Sequence, residues 1–318
     1  MHVAPMMNLE ACLPSKLQGS STTISKVAAG LSGAGVYRVE CPDGTFVLKV
    51  SGADEPLARW HSKTNIQQLA GAAGIAPRIV HVDEARRAVV SEFVVDRSFP
   101  ALLGNPATRE AALALLGRTV RRLHDLPLPA DASSTSPREF LSSLWSRVDG
   151  KIALPAFVVD AVRRELAEMP RAPERPTVLS HNDLNPSNLV YDGERLLLLD
   201  WDTSGANDPF YDLAAISVFF RMDDPTCERL LAAYDDTLVT RLPAGFVSNR
   251  RLAAVLCGTA FMHLSHQSGH TGAIDETLES APSLIDFYQR MRSGAVSIAT
   301  GEGQWLFGLA LVKQSLTA

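Results

Sequence analysis

Asp183, Asn188 and Asp200 are the residues whose types and spacing point most directly to chemistry. The first two lie in His181-Asn182-Asp183-Leu184-Asn185-Pro186-Ser187-Asn188, an H-x-D-x-x-x-x-N pattern. The third follows the apolar run 196–199 and opens Asp200-Trp201-Asp202. A carboxylate, an amide five residues on and a second carboxylate beyond a hairpin are all hard oxygen groups. Phosphoryl transfer asks for such a set: one carboxylate to take a hydroxyl proton, oxygen ligands for Mg²⁺, and cations to spread charge. An H-x-D triplet alone is common, and the same residues would serve as ordinary turn formers. Here the pieces agree in order, in spacing and in the local structure that surrounds them.

Several elements must position these groups. Asp192-Gly193 between apolar flanks is a hairpin signal, which turns the chain back before Asp200. Upstream, strand-like segments cover 23–28, 36–41 and 45–50, and Pro42-Asp43-Gly44 turns the second into the third. Between the first two lies Ala29-Gly30-Leu31-Ser32-Gly33-Ala34-Gly35. So small a loop lets backbone N–H groups approach phosphate oxygens, which makes Ser32, Gly33 and Gly35 candidate nucleotide contacts. Lys49 sits between Leu48 and Val50, where an ammonium is costly unless it meets an anion. A helix over 55–73 comes next, then strands over 78–82 and 88–93. Helical spacing returns at 107–126, where His124 reads as a structural helix-end residue, and again at 138–169, 213–221, 225–238, 248–265 and 282–299. Residues 1–20 show no periodicity and read as a loose arm.

Composition narrows the class. With 318 residues, 46% hydrophobic and 20% charged, the chain can bury a large core and is not disordered. A net charge of −5 and the lack of any Lys/Arg-rich run give no support for nucleic-acid binding. Between 181 and 240 there are twelve acidic residues against three basic ones, an excess that suits metal, a cationic acceptor or a plain solvated face. Cys12, Cys41, Cys227 and Cys257 are scattered and read as reduced thiols. The longest apolar stretch, 252–264, is too short to span a bilayer, and the first twenty residues lack a signal-peptide pattern. The expectation is a cytoplasmic enzyme with no membrane partner.

The H-x-D-x-x-x-x-N motif, Asp200-Trp201-Asp202 and the run Asn207-Asp208-Pro209-Phe210-Tyr211-Asp212-Leu213-Ala214 resemble the aminoglycoside phosphotransferase and choline kinase superfamily. These are small-molecule relatives of protein kinases. The likeness is sharp between 179 and 215 and diffuse from about residue 21 onward. It implies an α+β, protein-kinase-like bilobal fold. A small antiparallel-sheet N-lobe would span 1–95, and a mainly helical C-lobe 96–318. It further implies ATP as donor and Mg²⁺ as cofactor, with Asp183 as catalytic base, Asn188 and Asp200 as metal ligands, and Lys49 on the phosphates. Glu92-Phe93-Val94 falls at the adenine-binding hinge, so Glu92 and Val94 are nucleotide-binding candidates. Asp202 becomes a candidate for a cationic acceptor, and Asp208 and Asp212 for bracing the loop.

One departure from the family stands out. Protein kinases draw from the first helix a glutamate that pairs with the strand lysine, whereas here the middle of that helix, 59–68, holds no acid. Glu55 at its start, or a neutral Asn65 or Gln67, is left to orient Lys49. The implied activity is ATP-dependent phosphorylation of a small-molecule hydroxyl, on choline or a related amino alcohol. The alternatives are an aminoglycoside or macrolide resistance kinase and a non-catalytic nucleotide-binding regulator.

Overall fold

Strands with apolar side chains at alternate positions build the first layer. β1 (Thr23–Lys26), β2 (Gly35–Cys41), β3 (Gly44–Val50), β4 (Ile79–Asp83) and β5 (Ala88–Glu92) form one antiparallel sheet in the order β1-β2-β3-β5-β4. The computed structural model describes residues 8–27, 35–134, 136–168, 175–238 and 241–317. Ser32 and Gly33, the expected phosphate-loop residues, lie outside these, while Gly35 opens β2. In β3, Leu48 and Val50 point into a cluster with Val39, Ala88 and Val90. The period of two then sends Lys49 to the opposite face. The apolar face is covered by residues expected to be a loose arm: Cys12, Leu13 and Leu17, on two 3₁₀ turns (Glu10–Cys12 and Ser15–Leu17), are buried against it. Those short turns carry no periodic signal, so the sequence conceals their packing.

Helix α1 (Leu57–Ala72) connects β3 to β4 and sends Ile66 and Ala70 into the main cluster of the helical lobe. That lobe contains α2 (Phe99–Gly104), α3 (Arg109–His124), α4 (Pro137–Trp145) and α5 (Ala156–Ala167). After them come two small hairpin-like pairings. One joins β6 (Val178–Ser180) to β9 (Gly205–Asn207), and the other joins β7 (Leu189–Tyr191) to β8 (Leu196–Leu198). The chain finishes with α6 (Pro209–Phe219), α7 (Asp224–Tyr234), α8 (Ala244–Gln267), α9 (Leu284–Arg292) and α10 (Gly301–Thr317). Every residue of α6 is buried, which makes it the axis of the lobe. Clusters on its flanks are built from α3 and α7 on one side and from α4, α5, α8 and α10 on the other. The fold is therefore the expected α+β, bilobal, protein-kinase-like one.

The C-terminus differs from expectation. The helix expected over 282–299 is the shorter α9, and α10 follows it without having been anticipated. Gly301, Gly303 and Gly308 lower the intrinsic helicity of this segment, and burial restores it. Two glycines set the α8–α10 crossing. A Cβ at Gly258 would lie 2.7 Å from Val312 Cγ2 and 2.8 Å from the Gly308 carbonyl oxygen. A Cβ at Gly308 would meet the Gly258 carbonyl oxygen at 2.8 Å. Neither backbone contact can give way cheaply. Gly258→Ala is expected to lower stability by about 1–3 kcal/mol through overpacking, read as a lower urea midpoint with an unchanged m-value.

Candidate functional site

The motif residues sit on the two small strand pairs. The loop from β6 to β7 carries Asp183, and the residues just after β8 carry Asp200. Asp183 accepts from Asn185 Nδ2 on Oδ1 (3.1 Å) and from Asn188 Nδ2 on Oδ2 (2.9 Å). Asn188 Nδ2 also reaches the Asp183 carbonyl (2.8 Å), and Asn185 Oδ1 accepts from the Ser187 N–H (2.9 Å). The 3₁₀ turn Pro186–Asn188 thus folds the loop back onto its own carboxylate. Burial raises the Asp183 pKa and the charge of Asp200 adds to this, against opposing contributions from His181, Asn185 and Asn188. A basic carboxylate in a fixed rotamer suits proton abstraction.

Beneath the loop lies Asp212, with no exposed surface. Its Oδ2 accepts the His181 N–H and its Oδ1 the Asn182 N–H, each at 2.8 Å, and His124 Nε2 lies 3.1 Å from Oδ2. Burial works against the charge, but His124, then His181 and its backbone N–H, outweigh it and hold the pKa below the usual carboxylate range. His124 Nδ1 contacts Tyr234 Oη at 3.0 Å, so the helix-end histidine is indeed structural. Asn182 has φ +66°, a left-handed conformation that asparagine tolerates. Its side chain donates to the Thr203 carbonyl and accepts from Asn207 Nδ2. His181 Nε2 donates to the Leu199 carbonyl (2.9 Å), tying the loop to the strand that delivers Asp200. Asp208 caps α6 by accepting the Phe210 N–H (2.8 Å).

Asp200, at φ +61°, receives Lys49 Nζ on Oδ1 at 2.9 Å. Lys49 also pairs with Asp202 Oδ2 at 2.8 Å, and Asp202 Oδ1 accepts from Lys63 Nζ of α1 at 2.9 Å. Lys63 in turn contacts Glu55 (2.7 Å) and Ser51 Oγ (3.2 Å). Glu55 therefore serves Lys63, and the partners of Lys49 are acids of the Asp200-Trp201-Asp202 segment. Both oxygens of Asp202 are taken by ammonium groups, so the side chain faces the small lobe. The expectation that it greets a cationic acceptor overlooked Lys63, whose only sequence signal is a cation on a helix lacking a central acid. Desolvation opposes the charges, yet Lys49 is raised by Asp200 and Asp202, and Asp202 is pulled to about 2 by Lys49 and Lys63.

The oxygen donors fit a hard divalent cation. Both side-chain donations by Asn188 come from Nδ2, which leaves its Oδ1 available, and among the described residues Asp200 Oδ2 carries no hydrogen bond. Among the described residues no cluster of three or more His, Cys, Asp or Glu forms a metal cage. Two protein oxygens suit Mg²⁺, which keeps waters and takes its remaining ligands from phosphates. At the lobe junction the Glu92 N–H donates to the Arg78 carbonyl (3.0 Å) and the Phe93 N–H to that of Thr45 (3.3 Å). Val94 makes no backbone hydrogen bond among the described residues, so its N–H and C=O are free for an adenine edge. The Glu92 side chain is occupied by Arg78 at 2.9 Å.

Residues 23–244 match the family model described as the phosphotransferase enzyme family. The chain belongs to that family. Its curated relative LicA of Haemophilus influenzae is 39% identical over 54 residues, 17% of this chain and 20% of that protein, so the match spans a fifth of the relative's length. Among solved structures, a choline/ethanolamine kinase family protein from Mesorhizobium loti superposes with a TM-score of 0.57 at 20% identity, covering 93% of this chain and 91% of that one. Choline kinase LicA from Streptococcus pneumoniae gives 0.59 at 16%, covering 87% and 93%. Macrolide 2'-phosphotransferase MphH from Brachybacterium faecium gives 0.54 at 18%, covering 91% and 92%. Likenesses at these identities establish the family's fold.

The buried carboxylate of Asp212 yields a test of the loop's architecture. Asp212→Asn keeps the volume but turns one acceptor into a donor facing a backbone N–H, at an expected cost of about 3–5 kcal/mol. Because the folded-state pKa is depressed, this stability is present above the ordinary carboxylate range and lost as pH falls through the folded value. Urea unfolding from neutral pH into acid should therefore show the variant converging on the wild type.

Proposed function

We propose that this phosphotransferase moves the γ-phosphoryl group of ATP to a hydroxyl group of a small molecule. The observation that carries this reading is the convergence of Asp183 and Asn188 of one loop, Asp200 after β8 and Lys49 of β3, three separate segments, at one interlobe cleft. Asp183 accepts the hydroxyl proton and orients the attacking oxygen, and its two amide partners keep the carboxylate in one rotamer. Lys49 turns from Asp200 to the phosphates and neutralises charge as the donor enters. Asn188 and Asp200 would hold Mg²⁺, which supplies further neutralisation of phosphate oxygens. Val94 offers main-chain groups to the adenine. The solved structure of LicA in complex with AMP, TM-score 0.60, supports an adenine nucleotide as donor.

For the acceptor we favour an amino alcohol of the choline type, supported by the choline and ethanolamine kinases among the structural neighbours. The similarity to a macrolide phosphotransferase favours an antibiotic as the second reading. Of the six aromatics that could form a cation–π box for a cationic acceptor, Tyr211, Tyr234, Phe287 and Trp305 are buried in the core, and Phe261 and Tyr288 are partly buried against it. A non-catalytic regulator is disfavoured because Asp183, Asn188 and Asp200 are all present and assembled. ATP consumption measured against panels of amino alcohols, aminoglycosides and macrolides tests the choice. Turnover with antibiotics alone would overturn the amino-alcohol reading.

Two substitutions test the assigned roles. Asp183→Ala should lower turnover by about 10²–10⁴-fold while ATP affinity stays within a few-fold, because the base meets the acceptor and not the nucleotide. Equal loss of binding and turnover would refute that role. Asp200→Asn should abolish the Mg²⁺ dependence of nucleotide binding, and a calorimetric titration with unchanged dependence would remove Asp200 from the ligand set.

A further inference from the structure

The lysine that meets the phosphates must be held extended, and in this chain the helix beside it offers a cation where a carboxylate would serve. Lys63 of α1 reaches the cleft with its side chain only 12% exposed, and Arg59 one turn earlier donates to the Asp202 carbonyl (3.5 Å). Two ammonium groups facing one cleft would repel each other. Asp202 lies between them, 2.8 Å from Lys49 and 2.9 Å from Lys63, each on a different oxygen. Glu55 holds the far side of Lys63 at 2.7 Å, so the order is Glu55, Lys63, Asp202, Lys49, Asp200. Charges alternate along that row. The backbone behind Asp202 is fixed too: Trp201 is buried with Nε1 on the Leu198 carbonyl (3.1 Å), and Ser204 returns its hydroxyl to the Trp201 carbonyl (2.7 Å).

We infer that Asp202 is the residue that positions Lys49 for the phosphates, with Lys63 of α1 anchoring Asp202 in turn. This rests on the proposed nucleotide site and deepens it. When a donor draws Lys49 away from Asp200, the second contact to Asp202 remains and holds the ammonium at the cleft. The positioning acid comes from the large lobe, whereas Lys49 and Lys63 both belong to the small one. Correct placement of the lysine is therefore coupled to the lobes being together, as they are here with these contacts made.

The test is calorimetric binding of two probes, Mg·ADP and adenosine, to the wild type, Asp202→Asn, Lys63→Met and the double variant. Asp202→Asn is expected to weaken Mg·ADP roughly 10- to 100-fold, the worth of a charge-assisted contact. Adenosine has no phosphate for Lys49 to meet, so its affinity should hold. Lys63→Met should act in the same direction but less, and the two effects should not add in the double variant, since both act through one chain of contacts. Unchanged Mg·ADP affinity in Asp202→Asn, equal weakening of both probes, or strict additivity would each overturn the inference. If Asp202→Asn does not fold, Lys63→Met decides alone: selective loss of Mg·ADP supports the positioning role, and no change overturns it. A wild type that binds adenosine and not Mg·ADP would instead defeat the phosphate-site reading itself, and this inference with it.

Discussion

A carboxylate with no solvent exposure is stable as an anion only if donors replace its water, and Asp212 finds three of them. Two are consecutive backbone N–H groups of the loop that carries Asp183. Fixing both fixes the peptide planes at His181 and Asn182, and with them the left-handed turn that aims Asp183. The third donor, His124, ends α3 and is itself held by Tyr234 of α7. One buried charge thus joins α3, α6, α7 and the loop that carries Asp183. Because α6 is buried all round, the anchor cannot drift without disturbing the core.

The cleft above that anchor is held by charge. Two lysines of the sheet lobe meet two aspartates from one three-residue segment of the helical lobe, at 2.8–2.9 Å. Pairs this close and partly shielded from water are screened less than surface pairs. They also keep Lys49 and Asp200, the proposed phosphate contact and metal ligand, in contact with each other. On the proposed reading, entry of the donor would exchange one set of charge contacts for another and so avoid exposing bare charges in the cleft.

The sequence made the large-lobe half of the site legible because its parts are local. Asp183, Asn185 and Asn188 lie within six residues, and the hairpin that returns the chain to Asp200 is signalled by Asp192-Gly193. Strand alternation around Lys49 was equally readable, as was the absence of an acid in the middle of α1. The buried N-terminal turns and α10 escaped because neither has a strong local pattern. Cys12, Leu13 and Leu17 are irregularly spaced, and the glycines of α10 read as breaks until α8 is seen against them.

What the sequence by itself determined was the candidate set: which oxygen groups exist, how far apart they stand along the chain, and that a lysine on a buried strand needs an anion. Those follow from covalent spacing and from the cost of desolvating charge. Only the tertiary structure decided which anion that lysine finds. Glu55, Asn65 and Gln67 were nearer in sequence, yet Asp202, from the other lobe, lies 2.8 Å away because Lys63 pairs with Glu55 and draws Asp202 toward the small lobe. Ion pairing depends on distance in space and on what else competes for each charge. Neither is written in linear order.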